Sequence, residues 1–283
     1  MRNSSLHICA LIPTYNNANT ILDVVRRTRK QLKDIIVVVD GCTDNTLDLL
    51  QELEFPITIV SYSKNKGKGY ALKQGFRKAI ELGFEYALTI DSDGQHYPED
   101  IPLLIDAIKK HPGSMIIGSR KLTSENVPGK NKFANKFSNF WFRLQTHINL
   151  PDTQTGFRIY PLNKLYGLSL LTSRYEAELL LLVLAAWHNV PLLPVDIRVY
   201  YPPKEERVSH FRPALDFTRI SILNTILCVG AIIYGYPMMY WSTIYSFGLW
   251  SPLMLLIVQP LSLLYFLIFG KSEKSKFRYR NNY

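Results

Sequence analysis

Asp91 and Asp93 stand two residues apart behind the apolar run Tyr86–Ile90, within the segment Asp91-Ser92-Asp93-Gly94-Gln95. Two carboxylates closing a buried strand can hold Mg²⁺ or Mn²⁺ and leave coordination positions open for phosphate oxygens. An Asx turn that only ends a strand has the same spacing, so the neighbours decide its meaning. Four other apolar runs end in segments as polar as this one. They are Pro13-Thr14-Tyr15-Asn16, Asp40-Gly41-Cys42-Thr43-Asp44, Asn65-Lys66-Gly67-Lys68-Gly69 and Gly118-Ser119-Arg120. One polar loop is ordinary, whereas five, two of them acidic and two basic, look like a single site.

The elements that must position them follow from the apolar pattern. Leu6–Ile12, Ile35–Val39, Ile57–Ser61, Tyr86–Ile90 and Met115–Gly118 read as buried strands rich in Ile and Val. Helical patterns lie between them, over Thr20–Lys33, Asn45–Leu53, Tyr70–Leu82 and Pro98–Lys110. Thr20 is expected to cap the first helix, Thr43 or Asp44 the second, and Pro98 suits a first helical turn. Such alternation predicts an α/β fold, a mostly parallel sheet with flanking helices. Sheets of that kind bind ligands at the carboxyl ends of their strands, where all five polar segments fall.

Beyond Arg120 the pattern loosens. Lys130–Gln145 carries Phe133, Phe137, Phe140 and Trp141 at helical spacing, a stripe expected to face the core. Arg174–Asn189 reads as a helix and Val195–Tyr200 as a strand, before the basic run Arg207-Val208-Ser209-His210-Phe211-Arg212.

Lys and Arg outnumber Asp and Glu by 33 to 23, a net charge of +10. That balance suits a nucleic acid, an anionic membrane or a phosphate-rich substrate. No nucleic-acid-binding module is recognisable, which sets that class aside. Three scattered cysteines without a C-x-x-C pair exclude a disulfide framework and a cysteine zinc site, and fit a reducing compartment. Ile220–Trp241 and Phe247–Phe269 each run past 20 residues without a charge, enough to cross a bilayer core. Arg212 and Arg219 precede the pair and Lys271, Lys274, Lys276, Arg278 and Arg280 follow it. Basic outer flanks predict a hairpin with both ends cytoplasmic, and a re-entrant hairpin fits the same pattern. Leu6–Ile12 is too short for a secretory apolar region, so the N-terminal part is placed in the cytoplasm. The expected division is a catalytic domain over residues 1–215, a membrane hairpin over 216–270 and a basic tail over 271–283.

Taken in order, the motifs resemble family 2 glycosyltransferases of GT-A fold, in particular the polyprenyl-phosphate glycosyltransferases. The likeness spans residues 6–215 and implies a nucleotide-sugar donor, a membrane lipid acceptor and Mg²⁺ or Mn²⁺ as cofactor. It implies nucleotide contacts at Pro13, Thr14, Tyr15, Asn16, Asp40, Gly41, Asn65, Gly67, Lys68 and Ser92. Metal ligands would be Asp91, Asp93 and Gln95. The catalytic set would be Asp91, Asp93, Arg120, Asp152 and Arg207. Acceptor-side residues would be Gln154, Arg158, Glu176, Glu178, His210 and Arg212. Val39 and Asn17 depart from residues common in relatives, as does the Ser-His-Phe-Arg run after Val208.

The resemblance implies inversion by one direct displacement at the anomeric carbon. A phosphate monoester acceptor is already largely ionised near neutral pH and needs no base. A hydroxyl acceptor would need one, with Asp152, Glu176 and Glu178 as candidates. Outside enzymes, the remaining reading is a non-catalytic nucleotide-binding scaffold.

Overall fold

The computed structural model describes residues 6–120, 129–165, 172, 174–201 and 213–240. Within them, strands β1 (Ile8–Thr14), β2 (Ile35–Asp40), β3 (Thr58–Tyr62), β4 (Tyr86–Thr89), β5 (Met115–Arg120), β6 (Arg158–Pro161) and β7 (Leu192–Ile197) build one sheet. Its order is β3-β2-β1-β4-β6-β5-β7. β6 is antiparallel to both neighbours, and the other pairs are parallel. β1 is buried at every position, as expected of a strand covered by helices on both faces. Cys9 and Leu11 enter one apolar core, while Ile8, Ala10 and Ile12 enter the other. The period of two in a strand thus feeds two cores at once.

Helices α1 (Ala18–Gln31), α2 (Thr46–Gln51), α3 (Lys68–Glu81) and α4 (Ile101–Lys110) connect the first five strands. α1 buries Ile21, Val24, Val25 and Thr28, one face of a 3.6-residue period, and ends on Arg29 and Lys30. Its N-cap position is Asn17; Thr20 lies inside the helix and donates its hydroxyl to the Ser92 carbonyl at 2.6 Å. Asn45 holds the N-cap position of α2, and Asp44 accepts from the amides of Thr46 and Ala18 instead. Pro98 opens a 3₁₀ turn ahead of α4, where a missing amide costs nothing.

The chain builds outward from β1 to β3, then returns across β1 to place β4 on its other side. That reversal opens a crevice between the loops after β1 and β4, the position where open α/β sheets take ligands.

The later elements are α5 (Gly129–Thr146), α6 (Leu162–Leu165), α7 (Glu176–Trp187), α8 (Pro213–Gly230) and α9 (Tyr236–Met239). A π-helical turn, Ala231–Gly235, joins the last two. α7 is buried on almost every side. Two readings of this region change. The late strand is Leu192–Ile197, three residues before the expected one. The aromatic stripe of α5 does not face the core: Phe133 is 71% exposed and Phe140 is 49% exposed. The opposite side of α5 carries the buried Asn135, Phe142, Gln145 and Thr146, which turns the aromatic side outward.

Leu215–Met239 is a 25-residue helical stretch long and apolar enough to cross a membrane, with a mean hydropathy of 1.6. It begins five residues before the expected first span. Its inner side, Leu223, Leu227, Ala231 and Tyr236, joins the core that contains α7. The expected second span, Phe247–Phe269, and the basic tail lie outside the described residues.

Candidate active site

The strand-end loops meet in one cluster, tied together by short side chains. Asn16, at φ +50°, accepts from the Thr43 amide at 2.8 Å and donates to the Thr43 hydroxyl at 3.1 Å. Asn17 reaches Ser92 Oγ at 2.8 Å, linking the loop after β1 to the loop after β4. Pro13 and Thr14 are buried at the end of β1 and Tyr15 is half-buried at the rim.

Asp40 is buried and spends its carboxylate on the next loop. Oδ1 accepts from the Lys66 amide at 2.8 Å, and Oδ2 from the Gly67 amide at 2.8 Å and Asn65 Nδ2 at 3.0 Å. Asp40 thereby staples the glycine-bearing loop that opens α3. Gly41, at φ +64°, passes so close that a side chain there would collide with the Asn65 backbone.

At the end of β4 the two carboxylates differ in environment. Asp91 Oδ1 lies 2.7 Å from Lys68 Nζ, which also reaches Glu178 Oε2 on α7 at 2.9 Å. Burial works against the Asp91 charge, but Lys68, then His96 and Arg158, hold this carboxyl below its ordinary value. Burial pushes Asp93 the other way, and the Asp91 charge adds to it, raising it to about 6. Lys68 is raised in turn, because Asp91 and Glu178 outweigh its burial. Burial holds the His96 imidazole down at about 4, hence neutral.

Gly156 presses its backbone against this pair. A Cβ there would sit 2.6 Å from Asp91 Oδ2 and 2.8 Å from Lys68 Nζ. Thr89 fixes that approach by donating to the Gly156 carbonyl at 2.7 Å.

Arg120 and Asp152 form a separate, closed unit. Asp152, with no exposed side-chain surface, accepts from Arg120 Nε at 2.6 Å and Nη2 at 2.9 Å. It also takes the Arg120 amide, Asn135 Nδ2 and the Gln154 amide. Its carboxylate has no lone pair left for an acceptor's proton, so the geometry removes it from the candidate bases. Arg120 gives Nε and Nη2 to Asp152 and keeps 16% of its side chain exposed. Gln154 is exposed and donates to the Ala134 carbonyl at 3.2 Å. Arg158 lies fully buried in β6, donating to the carbonyls of Thr153 and Glu178. It braces the segment after Asp152 from beneath. Glu176 and Glu178 are also buried, yet Glu176 Oε2 and Glu178 Oε1 find no hydrogen-bond partner among the described residues. Arg207, His210 and Arg212 lie outside those residues.

Sequence reasoning gave Gly156 no role of its own and missed Thr89, His96 and the Asn135-Ser138-Asn139 edge of α5. Asn139 accepts from the Thr153 amide at 3.1 Å, and Ser138 lies 2.8 Å from the Thr153 hydroxyl. The polar spacing of that edge was visible, but the aromatic residues between masked it.

A cation site fits in part. Asp91 and Asp93 offer two carboxylates, and the second is raised by burial and then by the charge of the first, a repulsion that a divalent cation relieves. No group of three His, Cys, Asp or Glu suited to a metal occurs among the described residues. Mg²⁺-type sites need no such cage, because one or two carboxylates plus substrate phosphates complete the shell.

Known proteins resemble this chain. The chain is 33% identical over 215 residues to the UDP-N-acetylglucosamine--dolichyl-phosphate N-acetylglucosaminyltransferase of Methanococcus voltae, covering 69% of this chain and 86% of that protein. It is 30% identical over 173 residues to the undecaprenyl-phosphate mannosyltransferase of Micrococcus luteus, covering 58% and 70%. Glucosyl-3-phosphoglycerate synthase from Mycobacterium tuberculosis, solved with Mn²⁺, UDP and phosphoglyceric acid, superposes with a TM-score of 0.58 at 16% identity, over 80% of this chain and 78% of that one. That likeness establishes a GT-A-type fold. The model of glycosyl transferase family 2 matches residues 9–166, a stretch that begins in β1 and holds every loop of the cluster through Gly156. The chain belongs to that family.

Proposed function

We propose that this chain transfers a sugar from a nucleoside-diphosphate sugar to a polyprenyl phosphate, with inversion at the anomeric carbon. The observation that carries the reading is Lys68 lodged between Asp91 and Glu178 at the switch-point crevice. A positive charge and an acidic pair at that crevice support a reading in which the donor's diphosphate leaves there. The relatives' names supply the acceptor class, since they act on dolichyl and undecaprenyl phosphates.

In this reading the loops stapled by Asp40 and Asn16 cradle the nucleotide, and Lys68 turns toward the diphosphate. Asp91 and Asp93, with Gln95, would hold Mg²⁺ or Mn²⁺, which supplies Lewis-acid neutralisation of the leaving diphosphate. A lipid phosphate arriving from the α7 side is already nucleophilic near pH 7 and needs no proton removed. A hydroxyl acceptor is the second reading, favoured by the unpartnered oxygens of Glu176 and Glu178, either of which could serve as its base.

Membranes carrying the chain, incubated with polyprenyl phosphate and a panel of labelled UDP- and GDP-sugars, should make one label lipid-soluble. The product should release free sugar in mild acid, as a glycosyl phosphate does. An acid-stable lipid product would favour the hydroxyl reading, and no lipid product from any donor would sink the proposal.

Gly156→Ala tests the close approach. The new methyl must displace the Asp91 carboxylate, and ångström-scale misplacement costs on the order of 10²-fold in rate. Transfer should fall by that order while the melting temperature moves little. Unchanged turnover would show that the Asp91 position does not matter.

A further inference from the structure

The outward side of α8 and the aromatic side of α5 form one apolar flank. Ile222, Ile226, Val229 and Ile233 repeat at helical spacing along α8 and its π-helical extension and are all exposed, Ile233 at 74%. On α5, Phe133 stacks on Phe137 at 6.3 Å, Phe137 meets Trp141 at 6.0 Å, and Phe140 meets Trp141 at 5.5 Å. Phe137 and Phe217, 6.0 Å apart, close the seam between the helices. The contacts Phe137–Phe217 and Gln145–Asn224 climb α5 and α8 in the same direction, so the two helices run side by side. Exposed apolar surface of this extent marks an interaction surface.

We propose that this flank is a lipid-contact surface, with α5 seated in the headgroup and acyl boundary of a bilayer. Three observations select lipid over protein. The flank is continuous with Leu215–Met239, the stretch whose length and hydropathy suit a bilayer. Exposed Lys136 and Arg219 interrupt it with positive charge, which anionic headgroups attract. Its Phe and Trp side chains are of the kinds that an interfacial helix lays on the bilayer. The polar edge of α5 meanwhile grips Asp152 and Thr153 through Asn135 and Asn139. One helix therefore joins the bilayer surface to the acceptor-side loop, and a lipid phosphate would reach the crevice without leaving its headgroup layer. This deepens the lipid-acceptor reading and rests on it.

The test uses the full chain in nanodiscs of mixed anionic and zwitterionic lipid. Cys42 and Cys228 are replaced by serine, Cys9 being buried. A polarity-sensitive fluorophore is attached to a cysteine at Phe133, Phe140 or Ile226, with Lys109 on the far side of the sheet as control. Nitroxide-bearing lipids should quench the three flank probes about threefold or more beyond the control, as expected of an interfacial helix. Equal quenching at all four positions overturns the proposal. So does shielding from aqueous iodide without lipid quenching: concentration-dependent shielding would mean a second copy covers the flank, and concentration-independent shielding would mean residues 241–283 do. A parallel assay of the unsubstituted chain in detergent with polyprenyl phosphate separates the two claims. Transfer there with unquenched probes removes only the surface, and quenched probes without transfer remove only the acceptor.

Discussion

Asp91→Asn should lower transfer by on the order of 10²–10³-fold at saturating donor, the usual cost of losing one preorganised charge contact to a transition state. The change keeps shape and hydrogen-bonding reach but removes the anion that sits 2.7 Å from Lys68. Lys68 would then pair with Glu178 alone and shift toward α7, leaving the diphosphate position. Asp93 would keep the burial that chiefly raises it and lose only the added push of the Asp91 charge. A cation bound between them would lose one of its two anionic ligands. A steep loss in Mn²⁺ affinity, read by electron paramagnetic resonance on the unloaded protein, should therefore accompany the loss of turnover. The melting temperature should stay within a few degrees, because Asp91 packs against the Gly156 backbone in either form. Chelator should reproduce the defect in the unsubstituted chain, with Mg²⁺ or Mn²⁺ restoring it. Full transfer by Asp91→Asn in chelator would end the metal assignment.

Asp152→Ala should unfold far more easily while leaving the crevice chemistry untouched in whatever remains folded. Asp152 has no exposed side-chain surface and Arg120 keeps 16% of its own. Removing one partner of so buried a pair strands the other charge, at about 3–5 kcal/mol. The pH dependence has a definite sign. Burial alone would raise the Asp152 carboxyl, but the Arg120 contacts outweigh it and hold the folded value below the ordinary one. Its contribution is therefore complete above the unfolded value of about 3.9 and is lost as pH falls through the depressed folded value. Urea unfolding in detergent should show a large gap between the two proteins at pH 7, shrinking toward pH 3. A gap that stays constant over that range would mean that packing, rather than charge, carries the difference.

Much of this was legible in the sequence because β1, β2, β4 and β5 are near-continuous apolar runs with chemistry at their ends. Where the reading failed, a tertiary partner had overruled a local signal. At Asp40 nothing local showed that the amides of Lys66 and Gly67, 26 and 27 residues away, bond its carboxylate. β6 was invisible because Arg158-Ile159-Tyr160-Pro161 is four residues long, begins with a buried arginine and ends in proline. Only its place between β4 and β5 makes it a strand. The α5 stripe had the right period and the wrong destination, since periodicity tells which residues share a face and not what medium that face meets.

The insertion of β6 between two earlier strands also sets an order of assembly. Tyr86 pairs with Pro161 and Ile117 with Arg158, so β6 bridges partners 75 and 41 residues upstream. Closing loops of that length costs chain entropy before any contact repays it, and such pairings form late in folding. Gly156 reaches Asp91 only through this strand, and Glu178 reaches Lys68 only after α7 has docked behind it. A nascent chain that has emerged as far as β5 thus carries the acidic pair without the groups that position it. The half-made protein holds its future reactive centre in an unassembled form, and competence comes only with the final closure of the sheet.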